Sequence, residues 1–277
     1  MRAMTAAMAV LVVAHVAAFA QNSAAQSQGA QGANAMSAVS PDIVKELAPT
    51  GRLRVAINLG NIVLAQTDAA GQPKGVTVEL ARELGRRLGV PVDLSTYDAA
   101  GKSFESLKAG SSDIVFLAIE PVRAAEVAFT APYVIIEGVY MVPKDSDLKS
   151  VADVDRAGVR IGVNKASAYD LFLSRTLKHA TLVRGESGVD LFVNDKLEAV
   201  AGVKQPIVAY AKTNPNVRVI DERFMEIRQA MGTVKGRDKG ARYLHGFIEE
   251  MKASGFVADA LKRSNQPDAE VAPAATD

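Results

Sequence analysis

The sequence predicts an α/β protein built on parallel sheets, and three observations carry that reading. Short apolar runs of strand length alternate with amphipathic stretches of helical period, the pattern of parallel α/β sheets. The alternation runs in two consecutive series, the second beginning at about Gly138, which fits two lobes. A chain of 277 residues, 48% of them hydrophobic and 23% charged, can bury a sizeable core in one or two domains.

Bulk properties exclude several functions. The net charge of +1 gives no electrostatic pull toward nucleic acid or acidic membranes. Cysteine is absent, which removes a disulfide framework, a lipid-anchoring cysteine and thiolate chemistry. His15, His179 and His245 are scattered singly, so no histidine-based metal site is expected, and no cofactor is implied.

Taken in order, Met1 to Ala20 has one arginine, Arg2, then an alanine- and valine-rich segment ending in Ala18-Phe19-Ala20. That composition predicts a secretory signal cut after Ala20. A retained membrane anchor is the weaker reading, because Thr5 and His15 interrupt a stretch that is only mildly apolar. Residues 21–40 shift to Ala, Gln, Ser, Gly and Asn and predict a flexible tether, since they cannot bury enough surface to offset their ordering entropy. In the folded part, Leu53 to Ile57 reads as a strand, and Thr77 to Leu88 as a helix with Leu80, Leu84 and Leu88 on one face. Val90 to Leu94, Ser103 to Ala109 and Ile114 to Ala118 continue as strand, helix and strand. In the second series Arg160 to Val163, Thr181 to Val183 and Glu198 to Ala201 are strands, separated by helices at Ala168 to Leu177 and Val189 to Asp195. A helix at Gln205 to Lys212, an extended return at Met225 to Val234, and helices at Asp238 to Met251 and Phe256 to Arg263 follow. The segment 266–277, rich in Ala, Pro and Asp, reads as a disordered tail.

The stretch from Asp113 to Tyr133, DIVFLAIEPVRAAEVAFTAPY, organises the chain. Its apolar run ends in Glu120-Pro121, Pro121 suits the first turn of a short helix, and Arg123 falls just beyond the strand's end. From spacing alone, Arg123 is either a solvated surface arginine or a guanidinium placed to meet an anion in the crevice beyond the strands. The run R-x5-F-T-x-P-Y from Arg123 to Tyr133, with DIVFLAI before it, resembles the central signature of family 3 periplasmic solute-binding proteins, the receptors of polar amino-acid ABC transporters. GRLRVAI at Gly51, GQPKGVTVELARELGRRLGV at Gly71, SFESLKAGSSDI at Ser103, VRIGVNKASAYDLF at Val159 and LEAVAG at Leu197 are similar to further blocks of that family, so the resemblance spans about residues 50 to 264.

What the resemblance implies is a type 2 periplasmic-binding-protein fold: two lobes, two chain crossings and a ligand cleft between them. Lobe one would hold 41–134 plus 230–265 and lobe two 137–226, with crossings near Tyr133 to Glu137 and Glu226 to Ala230. It also implies a periplasmic monomer, a small carboxylate or amino-acid ligand, and an ABC transporter permease in the inner membrane as partner. Arg123 and the amide of Ala118 would hold the ligand's carboxylate from one lobe. From the other would come the start of the helix at Ser167 and Ala168, where Ser167 is a good N-cap and Ala168 stands at a position usually glycine.

The departures concern the ligand's ammonium. Val203 and Lys204 replace the usual acidic position, Ala118 replaces a threonine, Phe116 a glycine, and Asn58 lies near the acidic position that often follows the first strand. Asn61 and Ala100 stand near the places of the usual aromatic residues. An ammonium without a carboxylate would cost several kcal/mol in a closed cleft, so either Glu120 serves it or the ligand lacks one. Tyr169 and Tyr133 each read as cleft contacts or as packing at the lobe boundary, and Lys165 and Lys204 as anion contacts or solvated lysines. Two other classes share the same cleft: a periplasmic enzyme resembling cyclohexadienyl dehydratase, with Glu120 as general acid or base, and a ligand sensor for a membrane receptor. No other acid, base or metal signature supports chemistry, so the reading is a binding protein and not an enzyme.

Overall fold

The computed structural model describes residues 39–276. The expected signal, 1–20, and nearly all of the expected tether, 21–40, lie outside the described residues. The first series comprises α1 (Pro41–Leu47), β1 (Leu53–Asn58), the short strands β2 (Gln66–Thr67) and β3 (Pro73–Lys74), α2 (Val76–Leu88), β4 (Val92–Tyr97), α3 (Ala100–Lys108), β5 (Ile114–Ala118) and α4 (Pro121–Ala124). A long strand β6 (Val127–Pro143) leads to α5 (Val151–Val154), β7 (Arg160–Asn164), α6 (Ala168–Thr176), β8 (Thr181–Gly185), α7 (Gly188–Asn194), β9 (Ala199–Val203) and α8 (Lys204–Thr213). A second long strand β10 (Val217–Val234) returns, and α9 (Asp238–Ala253), α10 (Phe256–Arg263) and β11 (Glu270–Val271) complete the chain.

The sheet runs in the order β4-β1-β5-β10-β6-β9-β7-β8, with β11 attached to β6. At one end β1 pairs in parallel with β4 and β5, and at the other β7 pairs in parallel with β8 and β9. Antiparallel β6 and β10 join these ends through the centre. Strands covered on both faces read as unbroken apolar runs, and every residue of β5 is buried accordingly. The amphipathic period of α2 buries Leu80, Leu84 and Leu88, and Gly89 stops the helix in the left-handed conformation, φ 68°, that a Cβ would disfavour.

The residues expected at the two crossings face one another inside β6 and β10: Glu226 pairs with Glu137, Ile227 with Ile136, Arg228 with Ile135 and Gln229 with Val134. The ladder changes register between Gln229 and Ala230 and again before Gly232, and such bulges bend a strand. Both strands are longer than the sequence suggests, because Glu137 stays paired within the ladder and the run Asp221-Glu222-Arg223 is taken up by register shifts that do not end the strand.

One expectation is corrected. The segment after Ser264 is not a loose tail: Glu270 and Val271 pair with Ile135 and Val134 of β6, and the Ala272 amide donates to the Tyr133 carbonyl at 3.1 Å. Lys252 Nζ donates to the carbonyls of Pro132 and Pro273, and Ala269 and Ala272 are buried. Small side chains let this segment lie flat on an open strand edge, a tertiary gain that composition does not reveal. Helix α1 is a further element beyond those expected, and Ser40-Pro41 at its start and apolar Ile43, Val44 and Leu47 on one face are its helix signals.

Candidate functional site

The carboxyl ends of four strands, Asn58 of β1, Ala118 of β5, Asn164 of β7 and Val203 of β9, converge on a cavity of about 380 Å³. Such a crevice outside the strand ends is where open α/β sheets place ligands. Among the expected residues, Arg123, Ala118, Ser167, Ala168, Asn58, Tyr169 and Val203 line it, as do Asn61, Ala100 and Lys165.

Phe116, Glu120 and Lys204 do not line the cavity. Phe116 packs edge-on against Tyr133, centroids 5.9 Å apart, and both rings are buried in the core. Phe116 shares a face of β5 with Ala118 but lies one step back from the strand's end, so it packs in the core where Ala118 reaches the cavity. Glu120 is tied to Arg175, Oε2 to Nη1 at 2.5 Å. Lys204 reaches away to Glu137.

Arg123 is the only guanidinium on the cavity wall among the described residues, and it is 1% exposed. Its Nη1 donates to the Ala118 carbonyl at 3.2 Å and its Nη2 to the Ala166 carbonyl at 2.9 Å. Among the described residues no carboxylate lies within ion-pair distance of it. Burial pulls its pKa down to about 10, and the nearby charge of Glu120 opposes that shift. A buried charge satisfied only by neutral carbonyls keeps most of its desolvation cost, which an incoming anion would relieve.

Across the cavity, the turn from β7 to α6 is built tightly. Ser167 Oγ accepts from the Asp170 amide at 3.1 Å, and Asp170 Oδ2 accepts from the Ala166 amide at 2.8 Å. The Ala168 and Tyr169 amides find no acceptor among the described residues, so the first turn of α6 offers donors and the positive end of its dipole. The residue in the left-handed conformation is Ala166, φ 57°, and not Ala168, which is the first helical residue. A non-glycine residue there is uncommon and aims its carbonyl at Arg123. Opposite, a Cβ at Gly101 would lie 2.8 Å from the Ala166 Cβ, so glycine permits this close approach. Tyr169 is buried, and burial pushes its phenol up to about 12.

The remaining wall residues were not foreseen. Ile227 and Gln229 come from β10, more than a hundred residues after Arg123, and Gln229 is buried although Glu226 and Arg228 beside it are charged, so its burial shows only once β10 is paired. Tyr210, Ile207, Pro206 and Ile62 add apolar surface. The carboxylates on the wall, Asp98, Glu186 and Asp190, sit on exposed residues, and Asp98 is paired with Lys102, whose hydrogen bond holds its carboxyl below the usual range.

The family described as bacterial extracellular solute-binding proteins, family 3, matches residues 53–264. No curated protein matches the chain. Among solved structures, a solute receptor for L-cysteine of Neisseria gonorrhoeae is 24% identical, covers 81% of this chain and 94% of its own, and superposes with a TM-score of 0.69. The ArgBP of T. maritima is 23% identical over 80% of this chain and 99% of that one, TM-score 0.68. An ancestral amino acid-binding protein, a precursor of cyclohexadienyl dehydratase, is 23% identical over 79% of this chain and 97% of that one, TM-score 0.66. At these identities the likeness is one of fold.

Proposed function

We propose, for a chain that belongs to the bacterial extracellular solute-binding proteins of family 3, that it closes around a small carboxylate lacking an α-ammonium and delivers it to an ABC transporter permease. Its fold is the type 2 periplasmic-binding-protein fold, and the relatives named above are mostly binding proteins. The observation that carries the proposal is Arg123, buried on the cavity wall and without a carboxylate partner among the described residues. Its planar fork suits a carboxylate, with the open amides of Ala168 and Tyr169 as the opposing donors.

The ammonium is the discriminating group. Beside Arg123 the wall presents Ala118 and, paired with it, Gln229, neither of them charged, while Glu120, the buried acid nearest in sequence, is engaged by Arg175 off the wall. A charge desolvated against these groups lacks a counter-charge, so an amino acid is disfavoured relative to its keto or hydroxy analogue. The same engagement argues against a catalytic Glu120, because a general acid or base must reach the bound substrate.

A thermal-shift screen of small organic acids against their amino analogues tests the reading. Stabilisation by the organic acids alone is the expected result. Equal or greater stabilisation by the amino analogues would overturn the ligand class while leaving the carboxylate anchor standing.

A further inference from the structure

Beside the cavity Glu120 is bonded to the Arg175 guanidinium and lies near, but outside ion-pair reach of, that of Arg123. Glu120 lies in the turn from β5 into α4, and Arg123 follows three residues later. Arg175 comes from the last turn of α6, beyond the central strands of the sheet. Neither Glu120 nor Arg175 lines the cavity. Glu120 and Arg123 would be natural partners, since a buried carboxylate and guanidinium on one short helix attract strongly in a low dielectric. Arg123 instead donates to two carbonyls, and Glu120 accepts from Arg175 at 2.5 Å.

Arg175 is set up for this contact by its own helix. Its Nη1 also donates to the Leu171 carbonyl at 2.8 Å, and its guanidinium lies over the Phe172 ring, 5.7 Å from the centroid. Part of the side-chain entropy of the pair is therefore lost before Glu120 arrives. The side chain of Glu120 is 4% exposed against 41% for Arg175, so the carboxylate is the member that needs a counter-charge.

We infer that Arg175 is a positioning residue: by engaging Glu120 it keeps that carboxylate off Arg123 and reserves the Arg123 charge for the ligand. The triad then carries one net positive charge toward an anion. Without Arg175, Glu120 turns to Arg123 and competes with any carboxylate for it. The inference rests on Arg123 as the anion anchor, and its test separates the two.

The arginine side-chain ¹⁵N resonances of the full protein supply the readout, with the Arg123 signal assigned through Arg123→Lys and sodium formate as the carboxylate probe. Arg175→Gln is expected to move the Arg123 signal even without formate and to weaken the formate response at least tenfold. Arg175→Gln combined with Glu120→Gln restores both. Glu120→Gln alone tightens formate binding, because the triad loses its one negative charge and Arg175 is no longer offset by it, whereas a pair that merely holds the structure together would make it weaken binding as Arg175→Gln does. That single variant decides the matter should Arg175→Gln fail to fold. An Arg123 signal that ignores Arg175→Gln, or a double variant without rescue, overturns the inference. A wild-type Arg123 signal that formate does not move overturns the anchor instead.

Discussion

Strand β5 has a buried charge at each end, and the protein treats the two in opposite ways. Just before its start, Asp113 is 0% exposed and saturated: Arg54 donates from Nε at 2.8 Å and Nη2 at 2.9 Å, and Arg237 adds a third bond at 2.9 Å. The backbone of Asp113 is held as well, its amide on the Arg54 carbonyl and its carbonyl on the Thr233 hydroxyl. Just beyond the other end, Arg123 is as deeply buried and meets only carbonyls. Burial of charge is therefore not what marks the site. The missing counter-charge is, and it lies at the carboxyl end of the strand, where the cavity opens.

If Asp113 is structural, removing its charge has the largest effect of any change considered. Asp113→Asn leaves Arg54 and Arg237, both mostly covered, without their shared carboxylate and buries an amide in its place. The expected loss is about 3 kcal/mol of folding free energy, the scale seen when one partner of a buried pair is removed. Urea unfolding of the ligand-free protein measures it. A loss no larger than that of an exposed pair would end the distinction between the two ends of β5.

Arg123 should behave the other way. Replacing it with alanine removes a buried charge that lacks a carboxylate, so the ligand-free fold is expected to lose no more than about 1 kcal/mol. Binding of the acid found in the thermal-shift screen should fall at least tenfold, about 1.4 kcal/mol. Arg123→Lys should lose a similar amount, since an ammonium does not reproduce the fork. Calorimetry on both variants checks this, and a stability loss matching that of Asp113→Asn would make Arg123 a second structural charge.

The sequence carries one end of this comparison better than the other. Arg123 stands out after the apolar run and Glu120-Pro121, and its block resembles a family signature, so its place at a strand's end was legible. What spacing cannot supply is the partner list, which separates an anchor from a salt bridge. Glu120 shows the consequence: it lies close to Arg123 in sequence, yet its partner is 55 residues away on α6, and only the fold brings Arg175 there. Asp113 escaped notice for the same reason, since Arg54 and Arg237 are 59 and 124 residues distant. The strands and helices were legible through local periodicity, whereas Ile227 and Gln229 on the wall, and the β11 edge, depend on pairings across the whole chain.

A third kind of charge sharpens the comparison from the surface, where pairing is complete but solvent is near. Glu83 on α2 accepts from Arg86 and Arg87, and Arg87 continues to Glu250 on α9. The hydrogen bond from Arg86, helped by Arg87 and opposed by partial burial, lowers the Glu83 pKa to about 2 from 4.5. A carboxyl depressed on folding stabilises the protein above its unfolded pKa, and that contribution disappears as the pH falls from about 4.5 toward 2. Glu83→Gln should therefore cost stability at neutral pH and approach the wild type near the acid limit. Arg86 and Glu250 stand in water while Glu83 and Arg87 are mostly covered, so the neutral-pH cost is expected at about 1 kcal/mol and should shrink only partly in high salt. Unfolding midpoints of both proteins between pH 7 and about pH 3, with and without added salt, measure it. A gap that persists unchanged into acid would mean that Glu83 acts through packing, and a gap as large as that of Asp113→Asn would mean that completeness of pairing, and not burial, sets what a charge is worth in this fold.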